Sequence, residues 1–365
     1  MEPIRNQLDR AHAAYVAGNP AESEAMYRSI LATAPDTVPA LVGLAAILST
    51  SGRLEEASLL EARAYIQPPW DGKPHKILAT CHYRLGQFDE AARCYRAWLA
   101  EDPDNEIARH HLAACSGQGV PDRAPDRYVA ALFDGMADQF DHRLVSILAY
   151  DGPGILRSIL ADIIPADKSR DILDAGCGTG LCGPVLAPMA RRLTGVDLSQ
   201  AMLDKARARG VYDRLIHGEL TAFLQNRPAG IDPTDFDPTK FDLIVMADSL
   251  IYFGDLGGVF DAVAGSLRPG GLFAFTLELL PQDDAAPELA LRPSGRYAHG
   301  TRHWTRCLAE RGFHIRRSEA IVIRQEFCQP IHGVAVLAEV PAADGNRLPP
   351  RRSDQPRDDA AARNP

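Results

Sequence analysis

"DILDAGCGTGLCGPVL", Asp171 to Leu186, sets four glycines and two cysteines directly behind a short apolar run. The run reads as a strand ending at Asp174, and Gly176, Gly178 and Gly180 follow at spacing two and two. A dinucleotide loop spaces its glycines two and three so that a diphosphate rests on the helix N-terminus; here the third glycine arrives one residue early. Cys177 and Cys182 have no third ligand at a useful distance, and a stable metal site needs three or four, so no metal is expected. What remains is a loop whose backbone passes close to a cofactor without phosphate, beside a strand-end acid. Asp174 also has a plainer role open to it, capping the loop amides.

Seventeen residues beyond Gly180, "GVDLS", Gly195 to Ser199, places Asp197 at the carboxyl end of the next strand. A carboxylate there accepts hydrogen bonds from both hydroxyls of a ribose. Its alternative is a helix cap ahead of "SQAML", a place Ser199 fills better. From Ser169 onward strands alternate with helices: "RDILDA", a helix over Cys182 to Arg191, "RLTGVDL", "SQAMLDKARARG", "RLIHGEL", "FDLIVMAD", "GGVFDAVAGSL", "GGLFAFTLE", "TRHWTRCLAERG". That alternation predicts a parallel sheet wrapped by helices. Two last strands, around Ile315 to Glu326 and Gly333 to Val340, leave no room for a helix between them and predict an antiparallel hairpin.

Acid, three glycines and strand-end acid together resemble the class I S-adenosylmethionine-dependent methyltransferases, over roughly Tyr128 to Val340. The resemblance implies a Rossmann-like seven-stranded domain with S-adenosylmethionine as its cofactor. It implies cofactor contacts from Asp174, Gly176, Cys177, Gly178, Gly180, Asp197, Leu198, Met202, Glu219, Leu220 and Asp248. Met202 is laid against the adenine, although a methionine on a buried helix face is also ordinary core. Glu219 stands where the family often has an aspartate near the adenine amine. Ligands of such sheets lie beyond the carboxyl ends of the strands, which leaves the later loops to the acceptor. Asp248 and Tyr252 follow the fourth strand, Glu278 the fifth, and Arg296, Tyr297 and His299 precede "TRHWTRCL". Asp248, Tyr252, Arg296, Tyr297 and His299 are the catalytic candidates, with helix capping the alternative for Asp248 and a hydrogen-bonded loop role the alternative for His299. The segment around Phe133, Phe140 and Asp141 either folds over the cofactor or packs on the sheet edge.

The first third has another grammar, a period of 34 that aligns Gly18, Gly52 and Gly86, then Pro35, Pro69 and Pro103. Ser23, Ala57 and Ala91 fall five residues after each glycine. Each unit reads as two helices with a glycine turn and a small residue where the helices meet. This is similar to the tetratricopeptide repeat, met best by "LGQFDEAARCYRAWLAEDPDN", Leu85 to Asn105, with Glu106 to Cys115 closing the stack. The predicted plan is α plus α/β: a repeat domain over 1–115, a linker over 116–127, the methyltransferase-like domain over 128–342 and a disordered tail over 343–365. The combination, with "LFDGMADQFDHRL" and "GRYAHG", resembles a bacterial group of methyltransferases that carry such repeats. The implied function is methyl transfer to an unidentified acceptor, the repeat groove recruiting a protein or peptide partner. The alternative is a cofactor-bound interaction adaptor without catalysis.

Composition agrees with a two-domain globular chain of 365 residues. Seven scattered cysteines suit reduced thiols. A formal charge of −9 without a basic block before the tail argues against nucleic acid as a partner. Neither a membrane span nor a signal segment is read from the sequence, so the expected location is the cytoplasm.

Overall fold

Gly18, Gly52 and Gly86 take φ angles of +81°, +80° and +71°, and each reverses the chain between two helices of a pair. The computed structural model describes residues 2–142, 144–145, 148–225, 240–281, 287–326 and 329–342. The proline-rich insertion after residue 225 and the tail expected over 343–365 lie outside the described residues, the insertion up to residue 239. Helices α1 (Ile4–Val16), α2 (Pro20–Thr33), α3 (Val38–Thr50), α4 (Leu54–Tyr65), α5 (His75–Arg84), α6 (Phe88–Glu101) and α7 (Glu106–Ser116) form the first region. The small residues after the turns lie where the helices meet: Ala57 is 1% exposed and Ala91 0%. Ser23 takes the same place in the first pair, and its hydroxyl donates to the Ala11 carbonyl at 2.7 Å, so burial there leaves no polar atom unpaired.

The segment expected as a linker is stitched to the loop beyond the fourth strand of the second domain. Gly254 and Asp255 both donate backbone N–H to the Asp122 carbonyl at 2.8 Å, and Ala124 donates to the Tyr252 carbonyl at 2.8 Å. Then come α8 (Asp126–Asp134), α9 (Phe140–His142) and α10 (Gly152–Leu160). The sheet is built from β1 (Arg170–Ala175), β2 (Ala190–Asp197), β3 (Arg214–His217), β4 (Phe241–Met246), β5 (Leu267–Leu279), β6 (Leu289–Leu291), β7 (Tyr297–His299), β8 (His314–Glu326) and β9 (Gln329–Glu339). Between them lie α11 (Gly183–Leu186), α12 (Gln200–Ala208), α13 (Leu220–Leu224), α14 (Gly257–Ser266) and α15 (Thr301–Glu310).

β3, β2, β1, β4 and β5 lie side by side in parallel, β9 pairs antiparallel with β5, and β8 is its antiparallel neighbour. β4 shows why the sheet is covered on both faces: Phe241, Ile244 and Met246 enter one apolar cluster, Leu243 and Val245 the other. The first cluster holds Phe260, Phe273 and Trp304 under α14 and α15; the second holds Leu156, Ile159 and Leu186 under α10 and α11.

Two details differ from the sequence reading. The helix expected over Cys182 to Arg191 stops at Leu186, because Pro188 has no N–H to continue it, and β2 already begins at Ala190. "RYAHG" contributes a strand rather than a loop. β7 pairs antiparallel with β6 and parallel with the last residues of β5, Glu278 opposite Ala298. Two short strands therefore fork away from the seven-stranded body at the carboxyl end of β5. Among the described residues no helix is long and apolar enough to cross a membrane.

Candidate active site

After β1 the chain folds over Gly176, Gly178 and Gly180, whose φ angles of +77°, +53° and +81° lie where glycine alone goes without strain. A Cβ on Gly176 would stand 2.7 Å from that of Ser249, a neighbour fixed by its hydroxyl donating to the Ala175 carbonyl at 3.0 Å. One on Gly180 would stand 2.8 Å from the Tyr212 ring, whereas one on Gly178 would meet nothing within 4 Å. The backbone of Gly178 thus faces open space.

Asp197, at the end of β2, borders that space. Its Oδ2 accepts from the Gly178 N–H at 2.8 Å and its Oδ1 from the Ser199 N–H at 2.9 Å. Each oxygen retains acceptor capacity for another donor. Burial raises the Asp197 pKa, against the opposing pull of these backbone bonds. Asp174 is more deeply placed, 2% exposed, and accepts from the Tyr212 hydroxyl at 2.6 Å. Burial pushes its carboxyl up to about 6, with Tyr212 pulling the other way and Asp197 adding to the rise. Glycine backbone open to a ligand, beside a carboxylate with spare acceptor capacity, fits a nucleoside cofactor without phosphate.

Three acids of the α8–α9 segment pin it beside the glycine loop. Asp134 Oδ1 accepts from the Ser199 hydroxyl at 2.5 Å, Asp138 pairs with Lys205 at 2.7 Å, and Asp141 bonds the Thr179 hydroxyl and the Arg209 guanidinium. Phe133 meets Phe140 and Tyr252 edge-on, each with 5.7 Å between centroids. An aromatic strip thus joins the glycine loop to the rim beyond β4.

The other expected cofactor residues divide. Leu198 packs partly buried against the cluster of Tyr128 and Val129, and Leu220 against the core under α14. Cys177 is 7% exposed, with burial driving its thiol pKa well up, and its sulfur lies where a Cβ on Gly195 would be 2.9 Å away. Met202 is fully buried inside α12. Glu219 caps α13, accepting from the N–H groups of Thr221 at 2.9 Å and Ala222 at 2.7 Å, and it pairs with Arg123 at 2.9 Å. Cap and ion pair occupy its carboxylate.

The rim of β4 and β5 holds a buried ion cluster. Asp248 adopts φ +58°, a strained setting for a residue with a Cβ, and accepts from Arg324 Nη1 at 2.9 and 3.1 Å. The same guanidinium bonds Glu326 at 2.7 Å through Nε and Glu278 through Nη2. Arg296 bonds Glu278 at 3.1 Å and also Glu326. Burial raises the Asp248 pKa against the pull of Arg324. For Glu326 burial is outweighed by Arg296 and Arg324, and its pKa falls.

Of the five catalytic candidates the structure brings Asp248, Tyr252 and Arg296 to this rim. Tyr297 and His299 turn away from it. Tyr297 is fully buried and its hydroxyl donates to the Pro121 carbonyl at 2.7 Å; His299 is fully buried and its Nε2 donates to the Phe253 carbonyl at 3.0 Å. Both clamp β7 to neighbouring backbone, in a strand whose three residues are all buried. Arg324 escaped the sequence reading, though its signal is present: a charge in the apolar run "AIVIRQ". A bulge between Val322 and Arg324 re-aims the side chain inward.

Residues 173–275 match the family model of a methyltransferase domain, and residues 8–73 and 73–115 match models of the tetratricopeptide repeat. The chain thus carries an S-adenosylmethionine-dependent methyltransferase domain behind tetratricopeptide repeats. It is 35% identical over 155 residues to the biotin biosynthesis bifunctional protein BioCD of Bordetella avium, covering 41% of this chain and 30% of that one. To methyltransferase-like protein 27 of Homo sapiens it is 32% identical over 119 residues, 32% of this chain and 47% of that one. To the ubiquinone biosynthesis O-methyltransferase of Alkalilimnicola ehrlichii it is 28% identical over 147 residues, 35% of this chain and 57% of that one. The chain thus spans between 30% and 57% of the length of these relatives.

Proposed function

We propose that the protein transfers a methyl group from S-adenosylmethionine to an acceptor held beyond the carboxyl ends of β4 and β5, and that its repeats engage a protein or peptide partner. The observation that carries the reading is the open glycine backbone at Gly178 tied to the strand-end carboxylate of Asp197 by a 2.8 Å bond. The cofactor, when bound, supplies a methyl group on a cationic sulfur for in-line transfer to a nucleophile. Asp197 would accept from the ribose hydroxyls, the backbone of Gly176 to Gly180 would hold the methionine portion, and Leu198 with Leu220 would flank the base. The strip of Phe133, Phe140 and Tyr252 keeps water from the transfer site. Asp248, locked by Arg324, and Arg296 orient the acceptor rather than move its proton, and alignment alone supplies several kcal/mol of such a barrier.

Val38 and Val42 on α3 and Ile77 on α5 remain exposed at 37%, 52% and 42%, apolar surface that supports partner binding by the repeats. The six described cysteines are free, which supports a reducing compartment and hence the cytoplasm. The test is incubation of the full chain with labelled S-adenosylmethionine and cell lysate, beside Asp197→Ala. Transfer by the wild type and loss in the variant is the expected result; cofactor binding without labelled product marks an adaptor instead.

A further inference from the structure

A cavity of about 420 Å³ opens between the repeats and the ion cluster of the rim. Its apolar walls come from both domains: Leu59 and Phe88 from the repeats, Pro293 from the loop between β6 and β7 and Ile331 from β9. The wall on the sheet side includes Glu278 and Glu326, and Glu278 shares the Arg324 guanidinium with Asp248. The cavity therefore ends one ion pair away from the candidate transfer site. Its volume is that of a small-molecule pocket.

The charges on its walls are not balanced in kind. Glu278 and Glu326 are both saturated by Arg296 and Arg324. Arg84 and Arg292 also line the cavity, and each meets only a neutral oxygen. Arg84 Nη1 donates to the Ser58 hydroxyl, and Arg292 Nη2 donates to the Leu279 carbonyl at 3.1 Å. Neither has a carboxylate partner among the described residues. One comes from the repeat domain and the other from the loop between β6 and β7, so the pair converges only when the two domains are docked.

We infer that this cavity binds a small organic anion, an apolar body carrying a carboxylate or a similar group, which Arg84 and Arg292 hold across the domain seam. Resting on the methyl-transfer reading, this molecule is the acceptor, and the third repeat is one wall of its site. The guanidiniums supply planar, charge-assisted donors to the anionic end. Leu59, Phe88, Pro293 and Ile331 take up the apolar body.

The experiment is a fluorescence titration of the full chain with anilinonaphthalene sulfonate, displaced in turn by octanoate, octanol and octylamine. Octanoate is expected to displace the dye best and octylamine worst. Arg84→Ala and Arg292→Ala should each weaken octanoate by about tenfold, the worth of one charge-assisted bond. Arg93→Ala, an exposed arginine that does not line the cavity, should leave it unchanged. Arg84 is exposed, so its variant reports binding without a folding defect, which thermal melting checks. Octylamine displacing the dye as well as octanoate, no displacement by octanoate, or arginine variants indistinguishable from wild type overturns the proposal. None of these readouts involves the cofactor. Anion binding without labelled transfer leaves the cavity standing and removes the methyltransferase reading; transfer without anion binding does the reverse.

Discussion

Asp174 carries an energetic penalty that pH exposes. Burial holds its folded pKa at about 6 against an ordinary value of 3.8, so between those values the native state keeps a proton that the unfolded chain has released. The contribution to stability is whole below about pH 4 and is lost as pH rises through 6, leaving a deficit on the order of 3 kcal/mol at neutral pH. Asp174→Asn keeps an oxygen for the Tyr212 hydroxyl and removes the charge beside Asp197. We expect its melting temperature to exceed the wild type's near pH 7.5 and the gap to close toward pH 4; melts showing no gap at any pH would refute the burial argument. Gly178 tests the ligand side of the same loop. Alanine at φ +53° costs about 1–2 kcal/mol in backbone strain, and its Cβ projects into open space rather than into protein. Gly178→Ala should fold and lose cofactor affinity by calorimetry, and unchanged affinity would put the cofactor somewhere else. The glycines and both acids were readable because each follows a strand pattern at a fixed offset. Tyr212 was not, since nothing local in "ARARGVYDRL" says that its hydroxyl reaches back to Asp174.

The β6–β7 fork ties His299 and Tyr297 to the backbone of neighbouring segments. His299→Ala removes the side-chain donor that meets the Phe253 carbonyl at 3.0 Å and empties a fully buried position, a loss on the order of 1–3 kcal/mol. We expect a lower melting temperature with cofactor affinity preserved, measured by scanning calorimetry and titration; an intact melt with transfer abolished would return His299 to the reacting groups. The long elements were legible because period two and period 3.6 separate over six or more residues. Strands of three residues, such as β6 and β7, are too short to show a period, and their pairing depends on the end of β5. The ion cluster was half legible for a different reason. Asp248, Glu278 and Arg296 stand in loops or at strand ends, where chemistry was sought, whereas Arg324 belongs to an edge strand and meets Asp248 only after β8 joins β9 beside β5.

The two domains meet through an aromatic seam rather than a free hinge. Tyr128, Tyr297, Ala113, Ala114 and Leu291 share one buried cluster. His110 on α7, 1% exposed, donates Nε2 to the Gly295 carbonyl at 2.8 Å, and His111 stacks on Tyr95 at 5.4 Å and meets Tyr128 edge-on at 5.3 Å. Because Arg84 and Arg292 face one cavity only across this seam, docking of the repeats and integrity of the cavity are one property. Burial lowers the pKa of both histidines, that of His111 to about 4, with His110 and Arg296 adding to it. The unfolded chain takes up protons near pH 6.5, while in the docked state His111 refuses its proton until about pH 4 and His110 is held below its ordinary value. Stability is therefore whole above 6.5 and lost as pH falls toward 4, on the order of 3 kcal/mol for His111 alone. Asp174 acts with the opposite sign over part of this range, so the comparison must be made against a variant. His110→Gln with His111→Gln keeps an amide donor for Gly295 and cannot titrate. Between about pH 7.5 and 5 the wild type should lose stability to urea relative to this variant, and limited proteolysis within residues 116–125 should accelerate in the wild type alone. Parallel pH slopes for the two proteins would mean that the histidines are not what the seam holds neutral.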